Sequence, residues 1–431
     1  MLVDLIHITY QSLYILLSPV ICLLLLSRRD TRKYFLHMWG LSSKESQTNT
    51  TDTPVDWFHA VSYGETVVCL QFIKTGLKNK SINNPILFTS TIENALDHFI
   101  KEIRKLQSNH TNLKYETNFL PLDFKPCLQS FLGAKKIERF FLVETDFWPS
   151  LVFYLRSNNV KIYLINGRIS QKICSLYNFL GIYGKQLFNS FDKLFVQSKT
   201  DAERLYQLGI DKELISIIGN AKYDLIPSGK LEDSENLITE TDMKVIILGS
   251  LHQNELFILD SVNSSLPNNF QIWIAPRKIQ DIKLFQRKIK LLNSNYCLYS
   301  ENKDIVSTHR FVLIDVMGVL SKLYRNCDIA VIGGSFNSVG GHNFIEPIMF
   351  KRPVVVGPKM RNFEEDVLEF KSRKLITQVK DNEELKTVLL QFVKDPRNLI
   401  EQSVKAHNYI NLKMGSLERT WFQISRQNKM S

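Results

Sequence analysis

The amino-acid sequence predicts an α/β protein built of two doubly wound domains. Short apolar runs recur between stretches of helical periodicity, as expected of parallel strands that are buried on both faces. A polar stretch without apolar periodicity, residues 227–242, divides the chain of 431 residues near its middle. This length suits two domains of roughly 200 residues each, and an apolar content of 44% provides enough material for two cores.

Nine apolar runs are expected to form the strands of these domains. They are Pro85–Thr89, Phe140–Glu144, Lys161–Asn166, Lys193–Gln197, Val245–Gly249, Gln271–Ala275, Phe311–Ile314, Ile329–Gly333 and Pro353–Val356. A polar, Thr-rich stretch at residues 41–55 predicts a linker. We therefore expect a first domain at residues 50–226 and a second at residues 243–431, which includes a helical tail from Asn398 onward. The two domains are expected to face a cleft.

The chain begins with an apolar segment, Leu5–Leu26, which has about the ~20 residues needed to span a bilayer. It is followed at once by four cations, which favour the cytoplasmic side of a membrane: Arg28, Arg29, Arg32 and Lys33. Residues 1–30 thus predict an inner-membrane anchor with the N-terminus outside and both domains on the cytoplasmic side. Because His7, Gln11, Ser12 and Pro19 weaken the span, a helix lying in the inner leaflet is the alternative.

The net charge of +11 indicates an anionic partner, which could be nucleic acid, an anionic membrane surface or a phosphorylated substrate. Nucleic acid ranks last because basic and aromatic residues are not clustered. The six cysteines contain no CxxC pair and lie in apolar runs. This spacing argues against a disulfide scaffold or a zinc ribbon, and it indicates a reducing compartment.

The first stretch with chemical potential is His59–Thr66, in which Ser62, Gly64 and Glu65 follow an apolar strand. A glycine at a strand-to-helix turn lets the backbone approach a ligand and places the next residue at a helix N-terminus. Glu65 could then deprotonate an attacking hydroxyl. It could equally cap the helix, since negative charge offsets the helix dipole. The spacing alone favours the cap.

Other polar groups follow later strands of the first domain. Glu144 and Asp146 lie in the stretch Val143–Pro149, where ligands bind in open α/β sheets, although capping and a packed Trp148 explain it equally well. Two further stretches end apolar runs with a cation and could hold an anionic acceptor: Asn166–Arg168 and Gly219–Lys222.

Five polar or Gly-rich stretches follow the strands of the second domain, and together they predict a site for a phosphorylated nucleotide. They are Gly249–His252, Pro276–Lys278, Asp315–Gly318, Gly333–Ser335 and Gly340–Pro347. Loop amides and Arg277 would bind phosphate, and Asn343 or Glu346 would bind ribose hydroxyls. The sequence contains neither a P-loop motif nor a dinucleotide-binding motif. His252 and His342 are expected to contact substrate or organise loops, since no spacing indicates a metal site.

Taken in chain order, these stretches resemble a known family. The series reads HAVSYGE, PLD at Pro121–Asp123, ETDFWP, INGRIS, GNAKYD, GSLH, PRK, DVMG, GGS and GGHNFIEP. It is similar to the 3-deoxy-D-manno-octulosonic acid (Kdo) transferases of lipopolysaccharide assembly, glycosyltransferase family 30. The similarity extends from His59 to Pro358, and a series of this length is more specific than any single motif.

The resemblance implies a GT-B fold, with the acceptor on the first domain and the nucleotide sugar on the second. It implies inverting transfer of Kdo from CMP-Kdo to a lipid A precursor (lipid IVA), with Glu65 as the general base. The excess of Lys and Arg suits the phosphates of this acceptor and anionic inner-membrane lipids as a further partner. No metal or other cofactor is expected, since Arg277 and loop amides could stabilise the leaving CMP. The residues that match the family's CMP-binding positions are Pro276, Arg277, Met317, Gly318, Val319, Asn343, Phe344, Ile345 and Glu346.

The chain departs from the family in three stretches. Lys278 stands where the family usually has His, Val319 stands where it has Glu, and ETDFWP replaces ETELWP. A side-chain role at position 319 would be lost, whereas a backbone contact to CMP would survive. Two alternatives stay open, namely a GT-B enzyme that uses another nucleotide sugar and an inactive scaffold that binds the lipid A precursor. The presence of Glu65, Arg277 and Glu346 favours activity.

Overall fold

The structure is a computed structural model that describes residues 2–27, 35–39, 45–46, 53–133, 135–225, 243–301 and 309–430. The chain forms two compact units. Unit 1 comprises Met1–Leu225 together with Lys413–Ser431, and unit 2 comprises Ile226–Leu412. The predicted polar connection at residues 227–242 lies outside the described residues.

Unit 1 contains an eight-stranded sheet with the order β1-β4-β3-β2-β5-β6-β7-β8. All neighbours are parallel except β1 and β4, which pair antiparallel. The strands are β1 Glu45–Ser46, β2 Val55–His59, β3 Ile86–Ser90, β4 Tyr115–Phe119, β5 Ile137–Val143, β6 Lys161–Gly167, β7 Lys193–Val196 and β8 Ile215–Ile217. The strand order reverses between β2 and β5, so the carboxyl ends of these strands form the topological switch point.

The helices of unit 1 cover both faces of its sheet. They are Leu2–Ser27, Phe35–Met38, Tyr63–Lys78, Glu93–Asn109, Lys125–Leu132, Pro149–Ser157, Gln171–Phe179, Ile182–Asn189, Lys199–Gln207 and Ser416–Met430. Successive strand residues point to opposite faces. Accordingly, Trp57 and Phe140 belong to one buried cluster, and Phe58 and Phe141 belong to another. Burial on both faces explains why these strands read as continuous apolar runs.

Unit 2 contains a seven-stranded, all-parallel sheet with the order β11-β12-β10-β9-β13-β14-β15. The strands are β9 Lys244–Leu251, β10 Phe270–Pro276, β11 Tyr296–Leu298, β12 Phe311–Leu313, β13 Ile329–Ile332, β14 Val354–Val356 and β15 Thr377–Gln378. Its helices are Ile258–Ser265, Ile282–Leu291, Leu320–Leu323, Ile345–Met349, Glu364–Ser372, Asn382–Lys394 and Arg397–Lys413. The last of these helices ends at the boundary with unit 1.

All nine predicted runs coincide with strands, and two parallel-sheet α/β units are confirmed. The predicted linker at residues 41–55 requires a correction, because Glu45–Ser46 forms the edge strand β1 and Val55 begins β2. Two residues that pair with one edge are too short a run to leave a pattern in the sequence.

The C-terminal helix Ser416–Met430 belongs to unit 1, whereas the sequence placed it in the second domain. Trp421 stacks on Phe72 with ring centroids 4.3 Å apart, and its indole N–H donates to the Phe72 carbonyl oxygen at 2.8 Å. A Cβ added to Gly76 would lie 2.6 Å from the Trp421 ring. This helix therefore completes the core of unit 1 through contacts that are distant in sequence.

The predicted apolar segment at the N-terminus forms the helix Leu2–Ser27. Among the residues that the structure describes, no helix combines the length and the apolar character needed to cross a bilayer. The cations on which the expected topology rests, Arg28, Arg29, Arg32 and Lys33, lie outside the described residues.

Candidate active site

The stretch His59–Glu65 lies where β2 ends and the helix Tyr63–Lys78 begins. Ser62 is the N-cap residue, and its hydroxyl accepts the Glu65 backbone N–H at 3.2 Å. The Glu65 carboxylate in turn accepts the Val61 N–H at 2.8 Å and the Ser62 hydroxyl at 3.0 Å. These reciprocal bonds resemble a capping box, so Glu65 does cap the helix, as the spacing indicated.

Capping leaves Glu65 in an environment that suits a proton acceptor. Its side chain is 8% exposed at the carboxyl end of the sheet. Burial raises the pKa of Glu65, the two hydrogen bonds oppose this shift, and the charge of Asp146 adds to it. A carboxylate with a raised pKa accepts a proton more readily than an exposed one.

Glu144 follows β5, which is the neighbour of β2 at the switch point, and it adopts a left-handed backbone conformation with φ of 67°. Burial first and the charge of Glu65 second raise the pKa of Glu144 to about 7. The side-chain amide of Asn166, the Arg168 guanidinium and the Lys222 ammonium act in the opposite direction. Glu144 therefore holds a proton for part of the time near neutral pH.

Asn166 joins three of the predicted stretches. Its side-chain amide donates to Glu144 at 3.1 Å, and its side-chain oxygen accepts the Ala221 N–H at 2.9 Å. Its backbone carbonyl oxygen accepts a hydrogen bond from the side-chain amide nitrogen of Gln197. The side-chain oxygen of Gln197 accepts one from the side-chain amide of Asn220 at 2.9 Å. The stretches after β5, β6 and β8 are thus connected by hydrogen bonds at one edge of the sheet.

His59 is fully buried, and burial lowers its pKa to about 3, so the ring is neutral. The Trp148 indole can only donate, and its N–H lies 3.2 Å from His59 Nε2. His59 Nε2 is therefore the acceptor, and the ring proton lies on Nδ1, which donates to the Thr89 carbonyl oxygen at 3.0 Å. His59 is a structural link between β2, β3 and Trp148.

In unit 2, the predicted residues lie at the carboxyl ends of neighbouring strands. Pro276 ends β10, and the Arg277 backbone N–H donates to the Leu251 carbonyl oxygen at 2.8 Å, which joins the ends of β10 and β9. The Arg277 side chain is exposed. Met317, Gly318 and Val319 follow β12; Met317 is exposed and Gly318 has φ of 83°.

His252 and His342 contact each other, with their Nε2 atoms 2.8 Å apart and their rings stacked. Burial, then Arg277, then His252 lower the pKa of His342 to about 4. The structure therefore brings together the predicted stretches after β9, β10 and β13.

The stretch Asn343–Glu346 divides into buried and polar parts. Phe344 and Ile345 are buried, and Phe344 packs against Phe370 with centroids 5.3 Å apart. The Asn343 side chain accepts the Ile345 N–H at 3.0 Å and donates to Glu346 at 3.1 Å. Burial raises the pKa of Glu346. Asn343 and Glu346 thus supply the polar groups of this stretch, and its two apolar side chains anchor it.

A cavity of about 570 Å³ lies beside Gly340 in unit 2, and Lys359 and Arg361 are among its lining residues. Asn362 fixes the Gly-rich loop at this cavity, because its side-chain amide donates to the carbonyl oxygens of Val339 and Gly341, each at 3.1 Å. Within the described parts of both units, no three His, Cys, Asp or Glu residues are grouped so that they could hold a metal ion.

Comparison with known proteins agrees with these features. The family described as 3-deoxy-D-manno-octulosonic-acid transferase (kdotransferase) matches residues 35–225. The 3-deoxy-D-manno-octulosonic acid transferase of Chlamydophila psittaci is 27% identical over 72% of this chain and 70% of its own. These similarities support a glycosyltransferase of the Kdo transferase kind.

Another relative is larger than this chain. The bifunctional glycosyltransferase/methyltransferase of Fusobacterium nucleatum is 30% identical over 76% of this chain, and the chain spans about half of that relative's length, 51%. Among solved structures, Anabaena HepE in complex with UDP superposes with a TM-score of 0.52 at 12% identity, covering 88% of this chain and 100% of that one. This similarity supports a fold of the GT-B kind.

One buried carboxylate of unit 2 was not predicted from the sequence. Glu255 is fully buried, and its oxygens accept the backbone N–H groups of His252 at 3.0 Å, Gly334 at 2.8 Å and Phe336 at 3.0 Å. It thus holds the loops after β9 and β13 together. The available signal was its place three residues after His252, which is the spacing of a capping box.

Proposed function

We propose that this chain transfers Kdo from CMP-Kdo to a lipid A precursor, lipid IVA, with inversion at the anomeric carbon and with Glu65 as the general base. The observation that carries this proposal is the position of the buried Glu65 at the switch point of unit 1, beside two further carboxyl groups whose pKa values are raised. Similarity to Kdo transferases supports Kdo as the transferred sugar.

The hydrogen bonds favour Glu65 over Glu144 as the base. A backbone N–H and a hydroxyl stabilise the negative charge of Glu65, whereas one side-chain amide contacts Glu144. The hydrogen bonds to Glu65 oppose the rise in its pKa, whereas the charge of Glu65 adds to the rise in the pKa of Glu144. Glu65 is therefore the better candidate to accept a proton.

The proposed reaction is a single displacement. Glu65 accepts the proton of an acceptor hydroxyl, and that oxygen forms a bond to the anomeric carbon of Kdo. The bond from this carbon to the CMP phosphate oxygen breaks, and its electron pair leaves with CMP. One displacement inverts the configuration, so the enzyme needs no covalent nucleophile. A positioned general base contributes about 10² to 10⁴ to such a rate.

Unit 2 would bind the donor. Arg277 and the amides of the adjoining loops would stabilise the charge that develops on the CMP phosphate, so we propose that no resident metal ion or other cofactor takes part. Asn343 and Glu346 would bind the ribose hydroxyls. Met317, Gly318 and Val319 would contact CMP through their backbone, which tolerates Val319. The cations Lys359 and Arg361, at the nearby cavity, are candidates for the anionic groups of the donor.

We further propose that the helix Leu2–Ser27 binds the cytoplasmic surface of the inner membrane. Tyr10 and Gln11 on one face contact the remainder of unit 1. Apolar residues on the opposite face are exposed, among them Ile8 at 60% and Leu16 at 75%. A helix with an apolar outer face suits an interfacial position, and a net charge of +11 favours anionic lipids.

Incubation of the purified protein with CMP-Kdo and lipid IVA, followed by mass spectrometry of the lipid, tests this function. The expected result is a mass increase of one or more Kdo residues. Transfer from a UDP-sugar instead would favour a different GT-B enzyme, and binding of lipid IVA without turnover of either donor would favour a scaffold.

A further inference from the structure

The inner face of the N-terminal helix reaches a buried carboxylate of unit 1. The Tyr10 hydroxyl donates to Asp123 Oδ2 at 2.9 Å. The Gln11 side-chain amide donates to the Asp123 carbonyl oxygen at 3.3 Å and to the Ser150 hydroxyl. The Gln11 side-chain oxygen accepts the Lys125 N–H at 3.0 Å. Two adjacent helix residues thus hold Asp123 and the residues around it.

Asp123 in turn caps the helix Pro149–Ser157. Its carboxylate accepts the backbone N–H groups of Ser150 at 3.0 Å and Leu151 at 2.8 Å. The N-cap residue Trp148 makes no side-chain capping bond, so this distant carboxylate takes that role. A negative charge at a helix N-terminus is stabilising, and Asp123 is 1% exposed. The start of this helix therefore depends on Asp123.

Trp148, which begins this capped turn, supports the loop that carries Glu65. Its indole N–H donates to His59 Nε2 at 3.2 Å, and His59 ends β2 directly before the loop. Trp148 also follows Asp146, whose charge acts on Glu65. Hydrogen bonds thus connect Tyr10 to Asp123 and Asp123 to the first turn of this helix, and Trp148 at the start of that turn connects to His59.

We infer that Tyr10 and Gln11 are positioning residues for the loop His59–Glu65, acting through Asp123 and Trp148. The helix that presents its apolar face outward thereby also orders the candidate catalytic loop. What the loop does rests on the proposed function, whereas the connection between Tyr10 and Trp148 does not.

The test compares Tyr10→Phe with Tyr183→Phe. Both remove one hydroxyl from the contact between the N-terminal helix and the remainder of unit 1. The Tyr183 hydroxyl, however, pairs with His7 Nδ1 at 3.1 Å and not with Asp123. The protein is labelled with 5-fluorotryptophan, and the resonance of Trp148, one of five tryptophans, is assigned with Trp148→Phe. We expect Tyr10→Phe to shift the Trp148 resonance and Tyr183→Phe to leave it in place.

Kinetics supply the second measurement. Tyr10→Phe should lower kcat for Kdo transfer roughly tenfold with an unchanged KM for CMP-Kdo, because misplacement of a catalytic group affects the chemical step. Tyr183→Phe should retain the wild-type kcat. Gln11→Ala is the second variant, with the same expected effects, in case Tyr10→Phe fails to fold.

Equal effects of Tyr10→Phe and Tyr183→Phe would overturn the inference, since they would indicate docking of the helix in general. An unmoved Trp148 resonance in Tyr10→Phe and Gln11→Ala would overturn it as well, and so would a shifted resonance with wild-type kcat. If the wild-type protein transfers no Kdo, the proposed function fails, and the fluorine spectra alone then decide whether Tyr10 and Trp148 are connected.

Discussion

The charge of Glu65 acts on Glu144: after burial, it is the strongest cause that raises the pKa of Glu144, which reaches about 7. Carboxyl groups whose pKa values are raised in this way concentrate at functional sites. The pair lies at the ends of β2 and β5, the two strands between which the strand order of unit 1 reverses.

The raised pKa of Glu144 makes stability depend on pH. Between pH 4.5 and 7 the folded chain binds more protons at Glu144 than the unfolded chain does, so this residue lowers the stability as pH rises through that range. We expect Glu144→Gln to raise the free energy of unfolding at pH 8 by on the order of 2–3 kcal/mol and to give no such gain at pH 4.

Denaturant unfolding at the two pH values measures this difference. Glu203→Gln is the control, because Glu203 is an exposed carboxylate of the same unit. A gain that is the same at both pH values would show that the substitution acts through packing and not through the proton.

Glu255→Gln tests the link between the two donor-site loops. The Glu255 carboxylate accepts hydrogen bonds from three backbone N–H groups. In the variant, the side-chain nitrogen of Gln replaces one of the two oxygens and cannot accept a hydrogen bond from the N–H group that faces it. We expect the variant to bind CMP roughly 10- to 100-fold more weakly by calorimetry, since such a loss corresponds to about 1.4–2.8 kcal/mol. Asp260→Asn, at a surface ion pair of the same unit, should retain wild-type affinity. If Glu255→Gln binds CMP as tightly as Asp260→Asn does, Glu255 does not support the CMP-binding loops.

Leu16→Glu tests membrane binding through the N-terminal helix. A charged side chain on the exposed apolar face should abolish most co-sedimentation with vesicles that contain anionic lipid. The reason is that this face would be buried at the boundary between headgroups and acyl chains, where a carboxylate is unfavourable. Leu412→Glu is the matched control, since Leu412 is an apolar side chain with comparable exposure in unit 2, 82% against 75%. Undiminished vesicle binding by Leu16→Glu would mean that another surface meets the membrane.

The sequence predicted the sheets well because their strands are buried on both faces. A run such as Ile329–Ile332 has no polar face and can be recognised as a strand from the sequence alone. The polar stretches that could form a site were also recognised from the sequence, since parallel strands place the residues that follow them at one edge of the sheet. The motif containing Glu65 left the cap and the base open, and the structure adds that the capping carboxylate is also buried.

Contacts between distant parts of the chain could not be predicted in this way. The helix containing Trp421 has an ordinary amphipathic pattern, and only its partner Phe72, far away in the sequence, decides which unit it joins. Asp123 caps a helix that begins 26 residues later, so no local spacing reveals it. His7 and Gln11, which weakened the apolar segment as a span, connect this helix to the remainder of unit 1.

The most direct test of the account is the single-turnover rate of Kdo transfer by Glu65→Gln, measured with CMP-Kdo and lipid IVA beside calorimetric binding of CMP. Gln keeps the size of the side chain but accepts no proton, so we expect the rate to fall about 10² to 10⁴-fold while CMP binds with wild-type affinity. A rate within a few-fold of the wild type, with CMP binding intact, would contradict the assignment of Glu65 as the base.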